Sequence, residues 1–209
     1  MLVSVLGLVP QMDELMALCQ EYGVLVIEDT CESLGSQYKG QLLGSFGLMS
    51  TFSFYFGHHI STIEGGMVCT DDETLYHLLL SLRSHGWDRD LPEAVQSQLR
   101  TRYSVSEFDS LFTFYYPGFN LRATDLQAYI GLMQLDKIPH VVSHRNQTYL
   151  HYQSQLKPEI WRPECRDDQF VSCFCYPVIS SNRNQIVAAL ISHQVETRPL
   201  IAGNLGRHP

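Results

Sequence analysis

A chain of 209 residues, 44% hydrophobic and 17% charged, is long enough for one sizeable core or a core with a small attached unit. Its formal charge of -8 argues against a broad nucleic-acid surface, which needs clustered Lys and Arg, so anionic ligands have to be met by local groups. Six scattered cysteines, of which only Cys173 and Cys175 are close, read as buried reduced thiols of a cytosolic protein and offer no zinc-ligand spacing.

Met1 to Val9 is apolar but too short to span a bilayer, and it lacks the flanks of a signal peptide. Leu2 to Leu8 therefore reads as a buried strand. Met12 to Tyr22, with Leu15, Met16, Leu18 and Cys19 at helical spacing, reads as a helix, with Asp13 and Glu14 in its first turn and Gly23 at its end. Val24 to Ile27 is a continuous apolar run, the pattern of a strand buried on both faces of a parallel sheet, reached by a right-handed crossover. Glu28-Asp29 then stand at that strand's carboxyl end, where open α/β sheets bind ligands. An Asp capping a short following helix explains Asp29 equally well. Tyr38-Lys39-Gly40-Gln41 is a hairpin-like turn.

Thr51, Phe52, Phe54 and Tyr55 suit a strand, and it leads into Gly57-His58-His59-Ile60-Ser61-Thr62-Ile63-Glu64-Gly65-Gly66. Two imidazoles on a loop rich in Gly, Ser and Thr could move protons near neutral pH. Met67 to Thr70 forms the next strand, Asp71 or Asp72 caps a helix, and Leu75, Leu78, Leu79 and Leu82 give that helix a buried stripe. His85-Gly86-Trp87 ends it, and His85 reads as a partner of the helix end or as a site residue. Residues 88 to 111 are polar and poorly periodic, a long loop or loose helix. Helical periodicity returns from Ala123 to about Leu135 and from Val141 to Leu156, with Pro139 between. A strand from Phe170 to Ile179, a helix from Asn182 to Ser192 and a strand from Val195 to Leu200 complete the expected order.

The pattern Ser53-Phe54-(x)3-His58-(x)5-Glu64-Gly65-Gly66 resembles the cofactor-lysine segment of the pyridoxal-phosphate (PLP) sugar aminotransferases of the DegT type, with His58 where that family carries lysine. A lysine amine forms a Schiff base with the cofactor aldehyde and shuttles its protons, whereas an imidazole can do only the second. The exchange is similar to that in the family's sugar 3-dehydratase branch. The resemblance implies a three-layer α/β/α, fold type I architecture, with residues 1–140 a partial PLP-binding large domain and 141–209 a connector helix and partial small C-terminal α+β domain.

By the same resemblance His58 is the catalytic base, Asp29 pairs with the cofactor's pyridine nitrogen, Glu32 lies against the cofactor and Ser53 binds its phosphate. Phe119-Asn120-Leu121-Arg122-Ala123-Thr124-Asp125 matches the family segment in which Asn reaches the cofactor phosphate of the neighbouring subunit, implying a homodimer; read alone, Asn120 is a turn residue. His85 and Arg198 are implied near the sugar nucleotide, Arg198 within a return segment running from Glu196 to Asn204; a surface ion pair with Glu explains Arg198 as well. His59 is expected to pack or to support the residues that line the site, and Glu64 to hold the loop.

The implied activity is removal of the C3 hydroxyl from a nucleotide-linked 4-keto-6-deoxyhexose, GDP-linked by preference, with PLP and its amine form PMP as cofactor and glutamate, released as 2-oxoglutarate, as amino donor. The implied setting is cytoplasmic deoxysugar synthesis for lipopolysaccharide O-antigen, colitose included, with no membrane or nucleic-acid partner. A related branch uses an iron-sulfur centre and a reductase, but Thr70 to Glu164 contains no Cys, which excludes a cluster ligated from that span. The rival readings are a sugar 4-aminotransferase and a catalytically silent dimer partner. The resemblance covers the middle of a family member, so the chain is expected to be a fragment of one.

Overall fold

The computed structural model describes residues 1–200, 205–207 and 209. It opens with β1 (Leu2–Val3), a 3₁₀ turn (Val5–Gly7) and α1 (Met12–Glu21), followed by β2 (Ile27–Asp29), β3 (Gln37–Tyr38), β4 (Gln41–Leu42), β5 (Met49–Ser53) and β6 (Gly66–Cys69). Next come α2 (Glu73–Leu82), α3 (Glu93–Tyr103), α4 (Glu107–Ser110), α5 (Asp125–Leu135) and α6 (Ile138–Gln155). β7 (Gln169–Phe170), α7 (Arg183–Ser192) and a 3₁₀ turn at Leu205–Arg207 close it.

One sheet runs in the order β1-β2-β5-β6, its first three strands parallel and β6 antiparallel to β5. Register places Asp29 between Val3 and Thr51, so the carboxyl ends of β1, β2 and β5 open at one edge. The second sheet, β4-β3-β7, is antiparallel, and its hairpin turns through Lys39 (φ 49°) and Gly40 (φ 82°). Two successive left-handed residues give the turn whose twist matches the flanking strands.

Between the sheets' elements lies a core of Val9, Met12, Tyr38, Leu43, Tyr149, Val171 and Cys173. It joins α1, the hairpin, α6 and the segment after β7, so residues from both ends of the sequence share one interior. Burying each large apolar side chain there contributes about 1.5–3 kcal/mol.

Several elements fall where local chemistry put them. Asp72 caps α2 by accepting from the Leu75 amide at 2.8 Å, and Thr124 with Gln127 forms a capping box on α5. Pro139 sits in the first turn of α6, where its missing N–H costs nothing. α7 begins after Asn182, as its pattern predicts.

Other boundaries differ. Val24 and Leu25 are exposed and the strand begins at Ile27. Gly23 (φ 63°) closes α1 with a paired motif, its own amide on the Gln20 carbonyl and the Val24 amide on the Cys19 carbonyl, so Val24 belongs to the helix end. The opening strand stops at Val3, where the chain bends into the 3₁₀ turn that carries Leu6 in the left-handed region at φ 58°. The polar span 88–111 holds two helices, α3 anchored by buried Leu99 and α4 capped by Ser106.

The expected strand at 170–179 is reduced to β7 and a lone bridge between Trp161 and Ile179. The carbonyls of Val171, Cys173 and Phe174 are taken by the side chains of Asn146 and Arg145 on α6, and no neighbouring strand is needed. Residues 195–200 form no ladder.

Candidate active site

Successive side chains on a strand point to opposite faces, so Glu28 and Asp29 on β2 part company. Glu28 is fully buried. Its Oε2 accepts from the Gly44 amide at 2.7 Å, and Oε1 accepts from Phe46 (2.8 Å) and Gly47 (2.7 Å). One carboxylate thus holds the loop between β4 and β5 against the sheet. Sequence reading placed Glu28 with Asp29 at the ligand-binding strand end, although the period-2 alternation from Asp29 already turned it to the other face.

Asp29 is half-buried on the other face, at the carboxyl end of the strand. Its Oδ1 accepts from the Cys31 amide at 3.1 Å, and no helix follows it, so the capping explanation gives way to a local turn. Burial, reinforced by the Asp29 carboxylate, pushes the Cys31 thiol up to about 11. A carboxylate offers about four acceptor positions, and Asp29 keeps capacity for a further donor.

His58 follows a turn closed by its amide on the Tyr55 carbonyl (3.0 Å), and its Nδ1 lies 2.5 Å from the Cys31 carbonyl oxygen. A carbonyl can only accept, so Nδ1 carries the proton and the neutral ring presents an unprotonated Nε2. The ring rests against Phe174 (centroids 5.1 Å, planes 31° apart) and meets Tyr55 edge-on at 6.2 Å. Asp29, Cys31 and His58 therefore form one cluster across the ends of β2 and β5.

His59 takes the opposite course. It is buried, its Nε2 donates to the Ser172 carbonyl (3.1 Å) and lies 2.9 Å from the Ser172 hydroxyl, and its Nδ1 has no partner. Burial, with the nearby Arg145 cation, holds this imidazole down at about 4 against an ordinary 6.5. Packing, as expected, is its visible role.

A stability consequence follows from that burial. Between those two values the unfolded chain binds the proton that the folded chain refuses, so stability rises with pH across the window. Lowering the pH from about 6.5 to about 4 should remove about 3 kcal/mol of stability. Urea midpoints through this range measure the slope. His59→Gln, which retains a donor for Ser172, should flatten it; an unchanged slope in the variant would assign the effect elsewhere.

Ser53 ends β5, and its hydroxyl oxygen accepts from the Tyr55 amide at 3.3 Å while its own proton stays available. Glu32 turns Oε2 onto the Leu6 amide at 2.7 Å, bracing the 3₁₀ turn beside the cluster. Arg198 pairs with Glu196 at 3.0 Å, the surface arrangement that its rival reading anticipated. Burial pushes the Cys175 thiol up, the Arg198 cation opposing that shift and the Glu32 carboxylate adding to it. The rest of the return segment that carries Arg198, residues 201–204, lies outside the described residues.

His85 and Asn120 lie together on a second pair of loops. Ser84 bridges Asn120, the His85 amide donates to the Phe119 carbonyl (2.7 Å), and the Tyr115 amide donates to the Gly86 carbonyl (2.7 Å). Gly86 (φ 85°) allows the approach, since a Cβ there would sit 1.9 Å from the Tyr116 carbonyl oxygen. His85 sits past the C-cap of α2 at φ 62°, its ring 4.9 Å from Trp87 and 6.4 Å from Phe114, and serves no helix end. Asn120 is exposed and accepts from Arg122 Nε at 3.0 Å.

The chain carries three lysines, Lys39, Lys137 and Lys157. Lys39 is paired with Asp13 at the hairpin, and the others flank α6, so none stands in the cluster. Among the described residues no group of three His, Cys, Asp or Glu could hold a metal ion, and no helix is long and apolar enough to cross a membrane.

The model of the DegT/DnrJ/EryC1/StrS aminotransferase family matches residues 1–209. GDP-4-keto-6-deoxy-D-mannose 3-dehydratase of Escherichia coli O55:H7 is 34% identical over 207 residues, which are 97% of this chain and 53% of that protein. The solved structure of the E. coli dehydratase with bound hydrated PLP superposes with a TM-score of 0.82 at 31% identity, covering 99% of this chain and 54% of the other. A structure of GDP-4-keto-6-deoxymannose-3-dehydratase with a trapped PLP-glutamate geminal diamine gives a TM-score of 0.82 at 32% identity, covering 98% of this chain and 54% of the other. The chain thus spans about half the length of these relatives and shares their α/β, type I aminotransferase fold. Its full-length match to the family model, together with this identity, makes it a member of the DegT/DnrJ/EryC1/StrS aminotransferase family.

Proposed function

We propose that this chain belongs to a PLP- and PMP-dependent dehydratase that removes the C3 hydroxyl of a nucleotide-linked 4-keto-6-deoxyhexose, GDP-4-keto-6-deoxymannose above others, with glutamate as amino donor. The observation that carries the reading is His58 in place of the family's lysine, with Nδ1 tied to the Cys31 carbonyl and Nε2 left basic. The donor set suits the cofactor: Asp29 retains acceptor capacity for a pyridinium N–H, Ser53 retains a hydroxyl proton for a phosphate oxygen, and both belong to adjacent parallel strands at their carboxyl ends. When bound, the cofactor supplies an electron-accepting ring next to the carbon that loses its proton.

His58 acts twice in this reading. Its Nε2 would hold the proton removed from the carbon beside the cofactor amine and would deliver one to the departing C3 hydroxyl. Asp29 keeps the ring nitrogen protonated. Glu32 acts through Leu6 at the site's edge, and His85 and Arg198 contact the sugar nucleotide. Asn120, exposed and set on a separate loop, reaches the phosphate of a partner subunit, which makes the working unit a two-fold dimer.

Residues 1–140 then contribute to the cofactor-binding domain, and 141–209 supply the connector and part of the small domain. Its place in this reading is cytoplasmic deoxysugar synthesis for O-antigen, colitose being one outcome. The test supplies PLP, glutamate and GDP-4-keto-6-deoxymannose to the purified chain and identifies the product. A 3-deoxy ketone with released ammonia supports the dehydratase; a stable 4-amino sugar would establish the aminotransferase instead, and no turnover would favour the silent dimer partner.

A further inference from the structure

We infer that Phe174 is a positioning residue for His58, and that the segment Val171–Cys175, contributed from beyond α6, fixes the plane in which the imidazole offers Nε2. The inference rests on the reading of His58 as the base. Among the described residues the ring has one polar tether, Nδ1 to the Cys31 carbonyl, and a single hydrogen bond leaves the ring free to tilt about it. The Phe174 face at 5.1 Å and 31° and the Tyr55 edge at 6.2 Å remove that freedom from two sides.

Phe174 is itself held at both backbone groups. Its amide donates to the Leu6 carbonyl at 2.9 Å, and its carbonyl accepts from Arg145 Nη1 at 3.2 Å, which also reaches the Cys173 carbonyl at 2.9 Å. Leu6 is fixed in turn by Glu32 at 2.7 Å. The connected path runs from Glu32 through Leu6 and Phe174 to His58. This also explains why a carboxylate next to the cluster spends an oxygen on a backbone amide. Two positions earlier, Ser172 donates its amide to Ser36 Oγ and receives His59, so the segment is also anchored on the amino-terminal side of Phe174.

Phe174 is half-exposed and stands outside the buried core cluster, so truncating it leaves the interior intact. The experiment compares wild type, Phe174→Ala and Phe174→Tyr by long-range proton–nitrogen correlation of the His58 ring, at a pH where the ring is neutral, and by steady-state kinetics. Wild type should show the Nδ1–H tautomer alone. Phe174→Ala should show both tautomers and a kcat lowered roughly 10- to 100-fold, the scale of a misplaced catalytic group, with KM nearly unchanged. Phe174→Tyr should restore both readings. A single Nδ1–H tautomer in Phe174→Ala would overturn the inference, whatever its kcat. The tautomer reading needs no turnover, so it decides the positioning claim even if His58→Asn remains active and the dehydratase reading fails.

Discussion

Replacing His58 with asparagine should lower dehydratase turnover by about 10²–10⁴-fold, the range in which a positioned general acid–base contributes. The asparagine amide can still donate toward the Cys31 carbonyl that now holds Nδ1, so the local backbone has little reason to move. What disappears is a basic nitrogen. Asp29 and Ser53 are untouched by the change, so cofactor affinity, followed by absorbance, should stay within a few-fold of wild type while product formation collapses. Activity within about tenfold of wild type would mean that another group moves the proton.

The second large effect is structural. Glu28→Ala should destabilise the chain by about 3–5 kcal/mol, because three amides held by one fully buried carboxylate lose their acceptor together. At Gly47 the loop backbone lies so close to the chain entering β2 that a Cβ there would sit 2.6 Å from the Val26 carbonyl oxygen. Glu28→Gln should cost less but remain harmful, because its NH₂ must oppose at least one amide donor where an oxygen now accepts. Urea unfolding monitored by tryptophan fluorescence and far-UV dichroism gives both values. A loss below about 1 kcal/mol for Glu28→Ala would show that the loop is held by other contacts.

What could be read from the chain alone divides by distance along it. Asp72 as a cap, Lys39-Gly40 as a tight turn, Asn182 before α7 and the strand–loop–strand around His58 are all written within a few residues. The places of Asp29 at a strand end and of His58 on a loop were local readings too, while the roles expected of them came from the resemblance to the family. Val24 and Leu25 misled because an apolar run records composition, whereas the Schellman closure at Gly23 decides where the helix ends and the strand can begin. α3 was legible only as a long loop or loose helix, because one buried residue, Leu99, is enough to seat a helix that carries polar side chains elsewhere.

The remaining features depend on contacts that no local pattern encodes. The Cys31 carbonyl lies 27 residues from His58 and sets its tautomer. Phe174 reaches the same ring from beyond α6 because Arg145 and Asn146 take up the carbonyls of its segment in place of a strand partner. Glu32 illustrates both limits: its position in the sequence marked it, but its observed bond to Leu6 gives it a bracing task alongside the cofactor contact implied by resemblance.

The most direct test of the account is the absorbance of the purified chain with PLP and then with glutamate, followed by borohydride reduction and mass spectrometry of the intact protein. With imidazole in place of lysine and Lys39, Lys137 and Lys157 all outside the cluster, the cofactor should bind, convert to its amine form and leave no covalent adduct on the protein. A reduced adduct on any of those lysines would contradict the His58 mechanism, as would failure to take up either form of the cofactor.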